Sequence, residues 1–262
     1  MQDPVQSDFL GGRVTAWQPV DGYRAGVDPV LLAASLPAKS GQTALELGCG
    51  VGVASLCLMA RVPGLAVTGL ELQPEYAGLA RRNAADNASD KVTDKAIDKA
   101  ARFEVLTGDL TALPDGLRQQ QFDHVFSNPP YFLRDRSTAA RDAGRDIALG
   151  GDTPLEAWVE VAAKRCKPKG YVSFIQRIER LPALMAAMST CLGSLQVLPL
   201  IPRRGRDAQL VLIRGRKNGR ADFRLHDGLV LHDGARHETD GDDYSEVAAN
   251  VLRDGAALPF PV

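Results

Sequence analysis

From Thr43 onward, short apolar runs alternate with stretches of helical periodicity, and this alternation leaves the chain few folds to choose from. Thr43–Leu47, 66–70, Phe103–Thr107, Phe122–Ser127 and 171–175 are rich in branched or aromatic residues and bounded by turn formers, so they read as strands. The runs 195–198 and 209–213 complete the set. Helices are expected over Val53–Arg61, 74–86, 154–166 and 180–191, with Thr153 as an N-cap and Pro154 at the first helical position. The repeated β-α-β order predicts an α/β fold, a parallel sheet with helices on both faces.

A chain of 262 residues suits one large α/β domain with appendages. The expected divisions are an N-terminal segment over 1–40, a catalytic domain over 41–215 and a C-terminal extension over 216–262. The formal charge of -1 excludes a globally basic surface, so a polyanionic partner must meet a local patch. Cys49, Cys57, Cys166 and Cys191 form no Cys-x-x-Cys pair and have no histidine at zinc-ligand spacing, so neither a metal nor a disulfide framework is expected. Asp3 and Asp8 stand where a signal peptide needs basic residues, and no apolar run approaches the roughly 18 residues of a membrane span. A cytoplasmic protein is expected. The period-four Asp-Lys repeat over 90–99 would align Lys91, Lys95 and Lys99 on a helix, which reads as a solvated surface.

Glu46-Leu47-Gly48-Cys49-Gly50-Val51-Gly52 follows one of these strands and opens a helix. Its glycines permit a tight turn and close approach to a ligand. A dinucleotide fingerprint needs glycine at the next position, where Val53 stands, so the loop favours another adenosyl ligand over NAD. Glu71, flanked by Leu72 at the end of the second strand, can accept hydrogen bonds from both ribose hydroxyls. Asp109, flanked by Leu110 after the third strand, can accept one from an adenine amino group.

The chemistry points to Asn128-Pro129-Pro130-Tyr131, at the carboxyl end of the strand Phe122–Ser127, where open α/β sheets place their ligands. Consecutive prolines stiffen the loop and remove two backbone donors, leaving carbonyls and the Asn128 amide oxygen to accept from an NH2 group. A conjugated NH2 is a poor nucleophile because its lone pair is delocalised. Accepting its protons at Asn128 Oδ1 and the Pro129 carbonyl frees that pair and aims the nitrogen. Tyr131 is expected to stack on the planar substrate.

This ordered set resembles the class I, Rossmann-like S-adenosylmethionine methyltransferases, which implies a seven-stranded sheet with helices on both faces. The resemblance implies S-adenosyl-L-methionine as cofactor and S-adenosyl-L-homocysteine as product. It assigns Glu46 to the methionine end and Gly48, Cys49, Gly50 and Gly52 to the pocket floor. The tetrapeptide occurs in enzymes acting on adenine N6, cytosine N4, guanine N2 and protein glutamine N5. Residues 22–34, GYRAGVDPVLLAA, resemble the entry segment of the bacterial valine-tRNA adenine-N6 methyltransferases, implying tRNA modification with Tyr23, Arg24 and Asp28 as contacts. The alternatives are a protein-glutamine or ribosomal guanine-N2 methyltransferase, or an idle RNA-binding protein holding the cofactor structurally. Arg203, Arg204, Arg206, Arg214, Arg216, Lys217 and Arg220 make a basic run, opposed within it only by Asp207, that suits RNA phosphates. Arg24, Arg203, Arg204 and Arg206 are the RNA-binding candidates. A short amphipathic helix is expected from Tyr244 to Leu252, with a structural docking role.

Overall fold

The computed structural model describes residues 3–89, 102–131, 153–234, 243–258 and 260, and the Asp-Lys repeat over 90–99 lies outside them. Strands β1 (Val5–Phe9) and β2 (Val14–Gln18) form an antiparallel hairpin, followed by helix α1 (Asp28–Ser35). The alternating part is β3 (Thr43–Leu47), α2 (Val53–Arg61), β4 (Ala66–Glu71), α3 (Pro74–Ser89), β5 (Phe103–Thr107), α4 (Asp115–Arg118) and β6 (Phe122–Ser127). Next come α5 (Leu155–Arg165), β7 (Cys166–Arg177), α6 (Leu181–Ser189), β8 (Gly193–Arg203) and β9 (Leu210–Arg216). Two short strands, β10 (Arg224–Leu225) and β11 (Leu229–His232), precede α7 (Glu246–Asp254).

The sheet runs β5-β4-β3-β6-β7-β9-β8, with β10 and β11 both pairing on β8. Among the described residues it has nine strands rather than seven, because β10 and β11, from the segment after β9, extend its edge. All strands are parallel except β9, which is antiparallel to β7 and β8. The chain winds outward from β3 to β5, then returns to β6 beside β3. That reversal opens a crevice at the carboxyl ends of β3 and β6.

Because side chains alternate across a strand, each buried strand feeds two cores. Val125 and Phe174 join the layer under α5 and α6, whereas Phe126 and Ile175 join the layer under α1 and α2. Helix α5 begins at Leu155 with extended Pro154 at its N-cap and no side-chain cap, so the expected Thr153 cap and helical Pro154 are one residue early. Helix α7 is capped by Ser245 Oγ, which accepts from Ala248 N at 3.3 Å, and the chain beyond it is held where Leu258 N donates to Ala34 O. Among the described residues no helix is long and apolar enough to cross a membrane, and no cluster of His, Cys, Asp and Glu could hold a metal ion. The four cysteines are free thiols.

The hairpin is fastened to α3 by side-chain amides acting as a substitute strand. Asn83 Oδ1 accepts from Trp17 N at 2.7 Å while its Nδ2 donates to Trp17 O at 3.1 Å. Asn87 repeats the pattern on Thr15, at 3.2 and 2.7 Å. The match is geometric: four helical residues rise about 6 Å and two strand residues about 6.6 Å. Asn83 Nδ2 also donates to Val51 O at 2.9 Å, which couples the hairpin to the glycine loop. Asn83→Ala, which orphans three backbone groups including that loop carbonyl, should destabilise the protein by about 2–4 kcal/mol. Asn87→Ala should lose about 1 kcal/mol. Equal midpoints for the two variants in urea unfolding would contradict this account.

Candidate active site

The loop between β3 and α2 is held by the strand ends beside it. Gly48 N and Cys49 N both donate to Leu70 O, at 2.8 and 3.0 Å, drawing the loop over the end of β4. Gly48 has φ +66° and a Cβ there would lie 2.8 Å from the Trp158 ring; Gly52 has φ +88° and a Cβ there would lie 2.5 Å from Phe103. Both are therefore glycine for two reasons, backbone conformation and the side chains pressed against them. A Cβ on Gly50 would meet nothing within 4 Å, so this side of the loop faces open space, as a ligand floor requires. The Cys49 thiol is buried, and desolvation, with the Glu46 and Glu71 carboxylates, raises its pKa well above the ordinary range. It takes no part as a nucleophile.

The acids fall in a row along the strand ends. Glu46 is 3% exposed, with Oε2 accepting from Ser55 N at 3.2 Å and Ser55 Oγ at 2.5 Å. Both bonds fall on one oxygen, so Oε1 keeps its acceptor capacity. Burial pushes the Glu46 pKa up to about 8, the Ser55 bonds opposing the rise and Glu71 adding to it. Glu71 closes β4; its Oε2 accepts from Gly50 N at 2.8 Å and Oε1 from Gln73 N at 2.9 Å. A carboxylate has about four acceptor sites, so two remain for hydroxyl donors. Burial raises its pKa as well.

Leu72 beside it is 52% exposed, an apolar surface open to a ligand. Asp109 Oδ1 caps the following turn, accepting from Thr111 N at 2.7 Å and Thr111 Oγ1 at 2.8 Å. Leu110 is buried in the core with Leu70 and Leu117. Its side chain, 8% exposed, supports the turn from within that core. From Asn128 after β6 to Asp109 after β5 the row crosses three strand spacings, about 14 Å.

On the other side of β3, Ser127 Oγ donates to Leu47 O at 2.7 Å and ties β6 to the loop's base. Asn128 Nδ2 donates to Tyr23 Oη at 3.3 Å, while Asn128 Oδ1 is buried without a hydrogen-bond partner among the described residues. An orphaned buried acceptor costs about 1–3 kcal/mol. In a native protein such an atom calls for an explanation, and an incoming N–H donor supplies one. The Pro129 carbonyl accepts from the buried Gln176 Nε2 at 3.4 Å, which orients it and leaves a second lone pair. The Tyr131 hydroxyl donates to Asp28 Oδ2 at 2.5 Å. Burial first, then Asp28, push the Tyr131 pKa far above its ordinary value, so the phenol stays neutral. Pro130 lies between these two anchors.

The RNA candidates separate. Arg203 is not a surface cation: its guanidinium pairs with Asp243 and the Asp233 carbonyl, and its side chain is 15% exposed. Asp243 also accepts from His232 at 2.7 Å, so Arg203 anchors the C-terminal segment. Arg204 and Arg206 are exposed in the β8–β9 loop, and Arg24 is exposed with Nη2 donating to Ser7 Oγ at 3.2 Å. Because β8 runs parallel to β6, its loop leaves the sheet at the crevice edge. The rest of the basic run does not. Arg214 stacks on Phe260 at 4.2 Å with Nε buried, and Arg216 ends β9 at the opposite edge of the sheet. Gln176, Ser55 and Trp158 were not singled out in the sequence; the one signal was Gln176 itself, a polar residue terminating an apolar strand.

The methyltransferase small domain family model matches residues 25–149. A tRNA1(Val) (adenine(37)-N6)-methyltransferase of Porphyromonas gingivalis is 35% identical over 172 residues, 64% of this chain and 60% of that protein, so the match spans less than two thirds of its length. One from Haemophilus influenzae is 26% identical over 218 residues, covering 83% of this chain and 87% of that protein. A crystal structure described as a predicted O-methyltransferase from Agrobacterium tumefaciens aligns with TM-score 0.67 at 28% identity, covering 90% of this chain and all (100%) of that one.

The raised Glu46 pKa gives a pH signature. A carboxyl that ionises at about 8 when folded and near 4.5 when unfolded favours folding below pH 4.5, and that advantage is lost as pH rises through 8. Ligand-free protein should therefore lose stability across this window at up to about 1.4 kcal/mol per pH unit. Glu46→Gln should flatten the slope in urea titrations; an unchanged slope would mean that Glu46 is ionised throughout.

Proposed function

We propose that this protein, a class I methyltransferase by its sheet and its methyltransferase small domain, transfers a methyl group from S-adenosyl-L-methionine to the exocyclic N6 of an adenine in tRNA. The observation that carries this reading is the buried, unpartnered Asn128 Oδ1 at the switch point of the sheet. A buried acceptor beside a second carbonyl suits a substrate nitrogen that carries two protons.

The residues present fit the cofactor. The open face over Gly50, the free acceptor sites of Glu71 and the second oxygen of Asp109 suit a nucleoside laid along the strand ends. Glu46 and the α2 amino terminus suit the amino-acid end, one favouring an ammonium and the other a carboxylate. When bound, S-adenosylmethionine supplies an electrophilic methyl on a sulfonium and departs as neutral S-adenosylhomocysteine. Asn128 Oδ1 and the Pro129 carbonyl accept hydrogen bonds from the two amine N–H groups, orient the nitrogen lone pair and stabilise the positive charge that grows on nitrogen. No low-pKa base is needed, because the nitrogen becomes strongly acidic as it gains the methyl group and one of its protons then leaves to water. Leu72 offers an apolar face for the cofactor's adenine, and the Tyr131 ring is placed to stack on the target base.

The relatives' names support the substrate class, Arg204 and Arg206 offer cations in the β8–β9 loop, and Arg24 offers another beside the N-terminal hairpin. The β8–β9 loop stands about three strand spacings from Asn128, about 14 Å, within reach of neighbouring phosphates in a bound anticodon loop. On this reading the protein works in tRNA processing and RNA modification, in the cytoplasm.

Nucleoside mass spectrometry of tRNA from cells lacking the gene should show loss of N6-methyladenosine; unchanged tRNA with an unmethylated release-factor glutamine would favour the protein-methylating alternative. Asn128→Ala should lower kcat by about a hundredfold or more with cofactor affinity nearly unchanged. Equal loss of both would remove its assigned role, and full activity would favour an idle RNA-binding protein. Arg204→Ala and Arg206→Ala should each reduce the salt slope of tRNA binding by about one, whereas Arg203→Ala should lower thermal stability instead.

A further inference from the structure

The two phenols around Asn128 are arranged with a definite hydrogen-bond polarity. Asp28 opens α1, and its Oδ2 accepts the Tyr131 hydroxyl proton at 2.5 Å. A carboxylate only accepts, so that proton is committed and the Tyr131 oxygen can only accept from any further partner. Arg177, at the end of β7, acts on Asp28 and favours its charged form; the Tyr131 bond does the same, and both oppose the burial that raises its pKa. Asn128 Nδ2 donates to Tyr23 Oη at 3.3 Å, and the same amide lies close enough to the Tyr131 hydroxyl to favour its ionised form. Tyr23 is fixed in turn, its backbone N donating to Tyr76 Oη at 2.9 Å. Turning the Asn128 amide over would set Oδ1 against the Tyr131 oxygen, whose proton is already given to Asp28. The amide therefore keeps Nδ2 on the phenols and Oδ1 free.

We propose that Asp28 is a positioning residue that, through Tyr131, fixes the Asn128 amide so that its oxygen faces the target, making the site select a base edge that donates over one that accepts. The inference rests on the reading of Asn128 as the group that meets the substrate amine. It accounts for an entry segment folded over the tetrapeptide: Tyr23 meets the amide directly, and Asp28 acts on it through Tyr131. It also gives Tyr131 a second duty, since its hydroxyl transmits the polarity of the carboxylate while its ring remains available for stacking. Asp28→Leu removes the acceptor and leaves the side chain's size almost unchanged, so it isolates polarity from packing, whereas Asp28→Asn keeps an amide oxygen that can accept from Tyr131 and serves as the conservative rescue.

The test combines an RNA readout with one that needs no substrate. With S-adenosylhomocysteine present, wild-type protein should bind an anticodon stem-loop carrying adenosine at the target position at least about tenfold more tightly than one carrying inosine, whose 6-oxo edge accepts. Asp28→Leu should bring that ratio towards one and lower kcat on adenosine by about a hundredfold, with cofactor KM unchanged, and Asp28→Asn should restore part of both. Tyr131→Phe and Asp28→Leu should be non-additive in a double-mutant cycle on the ratio. In free protein labelled with 15N-asparagine, the Asn128 side-chain amide protons should show NMR contacts to the Tyr23 and Tyr131 rings, weakened in Asp28→Leu. Absence of those contacts in wild-type protein overturns the relay whatever the substrate, as does an unchanged adenosine-to-inosine ratio in Asp28→Leu. If wild-type protein methylates no adenine, the functional reading fails while the NMR result still decides the relay.

Discussion

The reversal of strand order between β3 and β6 is the constraint on which this site depends, because it lets two loops leave the sheet side by side without covering each other. One loop is built from glycines and carries the acids; the other is built from prolines and carries an amide. Their bases are joined by the bond from Ser127 to Leu47, and the glycine loop is drawn sideways by Leu70. Shifting β6 against β3 by one residue would exchange inward and outward faces and bury Asn128 under the sheet. The large apolar residues Val125 and Phe126, each locked in a different core, prevent that slip. Core packing thus sets the register, and the register sets where the amide oxygen stands.

Much of this was legible in the sequence, and for a physical reason. Parallel strands buried on both faces are dense in branched residues, and the turns at their carboxyl ends must hold glycine, proline and acids at fixed positions. Glu46, Gly48, Glu71, Asp109 and Asn128 therefore all stand at the carboxyl ends of strands along one edge, with the strand reversal bringing Asn128 beside Glu46. The N-terminal hairpin was missed, although residues 5–9 and 14–18 flank Gly11-Gly12, because its partner is a helix. A strand satisfied by Asn83 and Asn87 leaves no pairing signal, only two asparagines four residues apart. Leu110, beside Asp109 in sequence, turns its side chain into the core, and side-chain burial after a turn is not readable from sequence neighbours alone.

Charge runs were the least legible feature. The residues from Arg203 to Arg220 look continuous, but β9 lies among them and carries the chain roughly 20 Å across the sheet. Arg204 and Arg206 emerge at the crevice edge, Arg216 emerges at the other, and Arg214 lies between them under Phe260. Arg203 is claimed by Asp243, a residue forty positions away in the acidic segment. The acidic tail therefore docks by neutralising one specific arginine, and only the arginines it leaves exposed face solvent beside the site.

The polar groups around Asn128 also explain why phenols stand where an aliphatic side chain would pack. An asparagine between apolar walls could present either end to a substrate, since its oxygen and nitrogen differ little in size. Tyr23 contributes an acceptor for the nitrogen but could equally rotate its hydroxyl and become a donor. Tyr131 lacks that freedom because Asp28 takes its proton. A single carboxylate at the start of α1 thus removes the ambiguity, and it works only because burial keeps water from supplying an alternative partner. The same exclusion of water that makes Asn128 Oδ1 costly to leave unpaired makes its preference for an N–H donor strong.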